Sequence, residues 1–134
     1  FAAKHEAQLF CEEKSVEQAL RDYFTAVATC FTSKETPAGC FMINTSATLA
    51  ASSKEIANTV KSRHAMQEET LSAFLAQRQQ RGELPAQCNP QLLAQYLSCI
   101  LQGMSISARE GATLEKLQNI SETTLRLWPE LLKI

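Results

Sequence analysis

The sequence predicts an all-α protein, a single helical-bundle domain of five to six helices, and three observations lead there. Apolar residues recur at helical spacing through most of the chain. Helix start signals precede those series at Ser15, Ser52, Asn89 and Thr113, and breakers close them at Pro37–Gly39, Gly82–Pro85 and Gly111. No segment of strict apolar–polar alternation has a partner strand elsewhere, and no internal repeat is present.

Residues 1–14 open without a start signal, and the apolar positions Phe1, Ala7, Leu9 and Phe10 read as the end of a helix entered partway along. Ser15 and Gln18 form the S-x-x-Q of a capping box ahead of Val16, Leu20, Tyr23, Phe24, Val27 and Phe31, which predicts a helix over 16–33. A turn follows at 34–39. Residues 40–51, CFMINTSATLAA, are rich in β-branched side chains but lack alternation, so a short helix is expected. Ser52 and Glu55 begin a further helix that meets no glycine or proline before Gly82.

The buried face of that helix is Ile56, Val60, His64, Gln67, Leu71, Phe74 and Leu75, and it holds two polar residues at its centre. Buried polar groups cost a few kcal/mol unless hydrogen-bonded. His64 and Gln67 must therefore meet a partner, a water or a ligand; for His64 the plain alternative is a core histidine satisfied by a neighbouring hydroxyl or carbonyl. Lys54, Lys61, Arg63, Glu68, Glu69 and Arg78 make the opposite, solvated face.

Asn89 caps the next helix and Pro90 occupies its first turn. Over 90–110 the apolar residues Leu92, Leu93, Tyr96, Leu97, Cys99, Ile100, Leu101, Gly103, Met104 and Ala108 span more than half the circumference, facing a narrow stripe of Gln91, Gln95, Ser98, Gln102 and Ser105. That is wider than a single core contact requires, so this helix is expected to have a core on one flank and another helical layer or subunit on the other. Gly103 is explained by a close helix crossing. Thr113 caps a last helix through Leu114, Leu117, Ile120, Thr124, Leu127 and Trp128, which Pro129 ends or kinks.

The totals exclude several functions. A length of 134 residues is one domain, and 45% hydrophobic with 20% charged residues is the balance of a soluble globular protein. A net charge of −1 with pI ≈ 6.2 offers no footprint for phosphates, so direct nucleic-acid binding is not expected. No apolar run reaches membrane-span length and no signal segment is visible, which predicts no membrane partner and a cytoplasmic location. Cys11, Cys30, Cys40, Cys88 and Cys99 form no CxxC pair, and with two histidines they match neither a disulfide framework nor a zinc site. No metal or cofactor is expected, and no nucleophile–base pair or phosphate loop suggests an enzyme.

GCFMINTSA at 39–47, RGELP at 81–85 and LQGMSISAREGAT at 101–113, in this order and at these separations, resemble the C-terminal regulatory domain of TetR-type transcriptional repressors. The resemblance covers nearly the whole chain and points to the subgroup whose first short regulatory helix begins with Gly-Cys, here Gly39–Cys40. It implies a ligand-sensing and dimerisation domain over 1–134, binding a small, largely apolar effector. DNA would be contacted only through an N-terminal helix-turn-helix that these residues do not include, with 1–14 as a remnant of the connecting helix. Tyr23, Phe24, Phe41, Thr45, His64, Gln67, Leu71, Phe74, Tyr96, Cys99 and Ile100 would line the effector site. Leu97, Leu101, Met104, Leu117, Ile120, Thr124, Leu127 and Trp128 would form a homodimer interface. The alternative is a thiol-based redox or electrophile sensor acting through Cys40 or Cys99; a small helical enzyme is the third reading.

Overall fold

A computed structural model describes residues 6, 9–10, 13–33 and 54–134, with the side chains of 55–57 and 60 excepted. The short helix expected over 40–51 and the Ser52 capping box lie outside the described residues, as do Phe41, Thr45, Cys11 and Cys40. The described chain holds five helices and no strand: α1 Val16–Phe31, α2 Lys54–Gln80, α3 Pro90–Arg109, α4 Leu114–Arg126 and the single turn α5 Trp128–Leu131. α2 lies along α3 and α1 along α4, while α1 also touches α3.

The three predicted caps within these residues are made. Ser15 accepts from the Gln18 amide at 3.2 Å, Asn89 from the amides of Gln91 and Leu92 at 3.0 and 3.2 Å, and Thr113 from Lys116 at 3.1 Å. The box at Ser15 closes on one side only, because the Gln18 side chain turns away to donate to Asp22 at 2.8 Å.

α2 and α3 end in the same way. Past α2, Gly82 at φ 81° lets its amide reach Gln79 and the Glu83 amide reach Arg78, both at 3.0 Å; past α3, Gly111 at φ 97° does the same for Ala108 and, through Ala112, for Ser107. These are Schellman closures, which satisfy the last carbonyls and require a left-handed residue. Among the described residues nothing stands within 4 Å of a Cβ built on either glycine, so the demand there is conformational. Gly111→Ala is expected to cost about 1 kcal/mol, visible as a lowered urea midpoint with unchanged slope.

α1 buries Val16, Ala19, Leu20, Tyr23, Phe24, Val27, Ala28 and Phe31, a single apolar stripe. Leu71, Phe74 and Leu75 of α2 and Leu93, Leu97, Leu101, Met104 and Ala108 of α3 complete the core with Leu117, Leu125 and Trp128. At Leu127 the last helix breaks, and Pro129 in the first turn of α5 re-aims the chain so that Trp128 returns to the core at 1% exposure. The Gln79 amide pins the 82–88 loop, donating to the carbonyls of Pro85 and Cys88, each at 2.9 Å.

Arg78 departs from expectation. It is not on the solvated face but 1% exposed, because its guanidinium finds acceptors at the Lys14 carbonyl and the Glu83 carboxylate and lies over the Phe74 ring. Desolvation of the charge is thus met by hydrogen bonds and a π face.

Candidate functional site

His64, Gln67, Leu71 and Phe74 succeed one another at i, i+3, i+7 and i+10 on one side of α2. Gln67 Nε2 donates to Tyr23 Oη at 3.2 Å, crossing from α2 to the middle of α1. Tyr23 is 1% exposed and sits against Phe24, with ring centroids 6.2 Å apart. Burial pushes its phenol up to about 12; the Gln67 hydrogen bond pulls the other way, and the nearby Glu6 carboxyl adds to the rise. Glu6 is itself raised above its ordinary value by burial.

His64 is half-buried, yet its Nε2 is sealed from solvent with no hydrogen-bond partner among the described residues. Burial lowers its pKa from the ordinary 6.5, which favours the neutral ring. A buried nitrogen without a partner costs about 1–3 kcal/mol. One end of this face is therefore satisfied by Gln67 and Tyr23, while at the other the buried His64 Nε2 has no partner among the described residues.

The Tyr23 shift carries a pH prediction. The folded state holds the proton to about 12 while the unfolded phenol releases it near 10.0. Its contribution is complete below pH 10 and is lost as pH rises through the folded value, at about 1.4 kcal/mol per pH unit. Urea midpoints measured from pH 9 to 12 should fall more steeply for the native chain than for Tyr23→Phe.

Of the other residues expected at the site, Phe24, Leu71 and Phe74 lie in the core at 0–1% exposure beside Tyr23. α3 does not bring Tyr96 and Cys99 to this place. Tyr96 is 40% exposed, Cys99 is exposed and Ile100 is half-buried. The residues of α3 assigned to a subunit interface occupy the opposite position: Leu97, Leu101 and Met104 are each 1% exposed within the protomer. Leu117 at 0%, Trp128 at 1% and Thr124 at 4% are spent inside it as well, and only Ile120, half-buried, and Leu127, 44% exposed, reach the surface.

The physical reason is that the broad apolar arc of α3 is two stripes. Leu97, Leu101, Met104 and Ala108 point inward, and the helical repeat then aims Leu92, Tyr96, Cys99, Gly103 and Ile106 the other way. Ser98 and Ser105, expected on the polar side, are buried at 1% and 0% as small packing residues. Gly103 meets no close crossing among the described residues: none of them lies within 4 Å of a Cβ built on it. The outer stripe includes Leu92 at 47%, Tyr96 at 40% and Ile106 at 47% exposure, and its intervals of four, three, four and three are those of a coiled-coil seam. That spacing was the available signal in the sequence; it was hidden by the inner stripe running beside it.

Among the cysteines, Cys99 is exposed, Cys30 half-buried and Cys88 buried with its thiol pushed up by desolvation. Among the described residues no group of three or more ligand-type side chains could hold a metal ion, and no helix is long and apolar enough to cross a membrane.

This helical arrangement has known counterparts. Residues 16–123 match the Tetracyclin repressor-like, C-terminal domain family. The chain belongs to that family, and its class is the regulatory domain of TetR-type transcriptional regulators. Among its relatives, the HTH-type transcriptional repressor ComR of Escherichia coli (strain K12) is 72% identical over 133 residues, covering 99% of this chain and 63% of ComR. The chain thus spans under two thirds of that relative's length. Two solved structures of cysteine mutants of the TetR family transcriptional regulator CifR, each complexed with 26 bp double-strand operator DNA, share the fold. Their TM-scores are 0.83 and 0.85 at 21% and 19% identity, over 95% and 92% of this chain and 66% and 64% of theirs.

Proposed function

We propose that this chain is the effector-binding and dimerisation domain of a TetR-type repressor, acting on DNA through a helix-turn-helix unit outside these residues. The observation that carries the effector reading is the sealed Nε2 of His64, without a partner among the described residues, on the same face of α2 as Gln67, which bonds Tyr23 of α1. A small, largely apolar molecule with one or two polar atoms suits that face, with Phe24, Leu71 and Phe74 as neighbours. Such a molecule shifts the two states of a repressor only by its differential affinity for them. The similarity to ComR, a repressor, supports the same output.

The dimer is assigned to the outer stripe of α3, Leu92, Tyr96, Cys99, Gly103 and Ile106, together with the exposed Leu127 and the half-buried Ile120 of the expected set. An isologous contact between two such stripes buries apolar surface that the protomer leaves in water.

Replacing His64 with leucine tests the effector reading. Removal of a sealed, unpartnered nitrogen should stabilise the free protein by about 1 kcal/mol, while native mass spectrometry should show loss of a small-molecule adduct retained by the unsubstituted chain. Destabilisation of the free protein, with no adduct in either form, would identify His64 as an ordinary satisfied core residue.

A further inference from the structure

We propose that Arg78 is a tie that fixes the chain at Lys14, just before α1, to the C-terminal end of α2, so that the position of this segment is set by the helix that carries His64 and Gln67. The guanidinium is 1% exposed. Its Nη1 donates to the Lys14 carbonyl at 2.6 Å and to Glu83 Oε1 at 2.9 Å. Its Cζ stands 5.3 Å from the centroid of Phe74, and the Phe74 ring meets Phe10 edge-on at 6.1 Å. Leu9, at 0% exposure, is seated in the same core. The segment around Lys14 is thereby held through a carbonyl, an aromatic ring and a leucine.

Glu83 is placed by the turn at Gly82. Its amide donates to the Arg78 carbonyl at 3.0 Å, and its second carboxylate oxygen is held by Arg81 at 3.2 Å. The pair is therefore linked through both main chain and side chain, and the guanidinium cannot follow Lys14 outward without leaving a desolvated charge short of an acceptor. A lysine in place of Arg78 keeps a charged nitrogen but lacks the planar guanidinium that lies over the Phe74 ring. Gln67 and Arg78 stand about three turns apart on one continuous helix, so a displacement of α2 at Gln67 is passed to the Lys14 carbonyl through Arg78. That consequence rests on reading His64 and Gln67 as an effector face; the tie itself does not.

The peptide bond after Lys14 is a cleavage site for a lysine-specific endoprotease, and its carbonyl is the one Arg78 holds. Initial cleavage rates after Lys14, read by mass spectrometry against those after the exposed Lys116, measure release of the segment. Arg78→Met should accelerate cleavage after Lys14 about tenfold with the rate after Lys116 unchanged, Arg78→Lys by less, and Glu83→Gln, which spares the Lys14 bond, by under about threefold. If Arg78→Met loses its helical circular dichroism, Arg78→Lys and Glu83→Gln carry the comparison. Equal acceleration at both sites, or none after Lys14, would overturn the tie. For the coupling, Gln67→Leu should change the Lys14 rate in the unsubstituted background and leave it unchanged beside Arg78→Met; no change in either background would remove it. Neither readout uses an effector, so an outcome against the effector face is separable from one against the tie.

Discussion

Trp128→Ala is expected to lower the stability of the protein by about 3–5 kcal/mol, a drop in melting temperature on the order of 10 °C for a domain of this size. Trp128 heads the largest fully buried side chains at 1% exposure, and removing it opens a cavity beneath the turn that joins α4 to α5. It is the sole tryptophan, so its own fluorescence reports the native environment before substitution. Calorimetry or urea titration of the variant checks the value. A loss under about 1 kcal/mol accompanied by a fall in molecular mass would instead place Trp128 at a subunit contact, as aromatic anchors often are.

Ile106→Glu is expected to have the second large effect, on association rather than on the protomer. Ile106 is 47% exposed on the outer stripe of α3, so a carboxylate there is solvated in the single chain. Across a two-fold axis the same substitution enters the interface twice, desolvating two like charges against an apolar surface. Light scattering should give twice the chain mass for the native protein at roughly tens of micromolar and a single-chain mass for the variant. The melting temperature should depend on concentration for the first and not for the second. Gly103→Leu offers a second route. It adds a side chain where the protomer leaves open space and removes a helix-interior glycine, so it should stabilise the single chain by about 0.5–1 kcal/mol while weakening association. A native chain that remains monomeric would remove the assignment of this stripe.

The helices were legible because each signal is local. A cap is a side-chain oxygen two or three residues from the amide it serves, and Ser15, Asn89 and Thr113 could be read as such without knowing any tertiary contact. His64 and Gln67 were legible as polar residues on an apolar face for the same reason. Gln67 then proved to have its partner in Tyr23, forty-four residues away, a pairing that periodicity cannot supply. Arg78 was misplaced because charge alone predicts a solvated side chain. What reverses that expectation is a carbonyl sixty-four residues earlier and a carboxylate brought near by the Gly82 turn, neither of which is a property of residue 78.

By itself, the sequence determined the fold class, the limits of the main helices among the described residues and the family, since these depend on spacing along the chain and on motifs held at fixed separations. Tertiary structure decided which side of α3 faces inward. Both stripes are apolar, and periodicity measures the angle between residues but not the direction of the core. That direction is set by where α1 and α2 present Tyr23, Phe24, Leu71 and Phe74, and packing against them takes up Leu97, Leu101 and Met104. Tyr96, Cys99 and Ile106 are left outward, whereas the sequence suggests Tyr96 and Cys99 facing an effector cavity and Leu97, Leu101 and Met104 facing a partner.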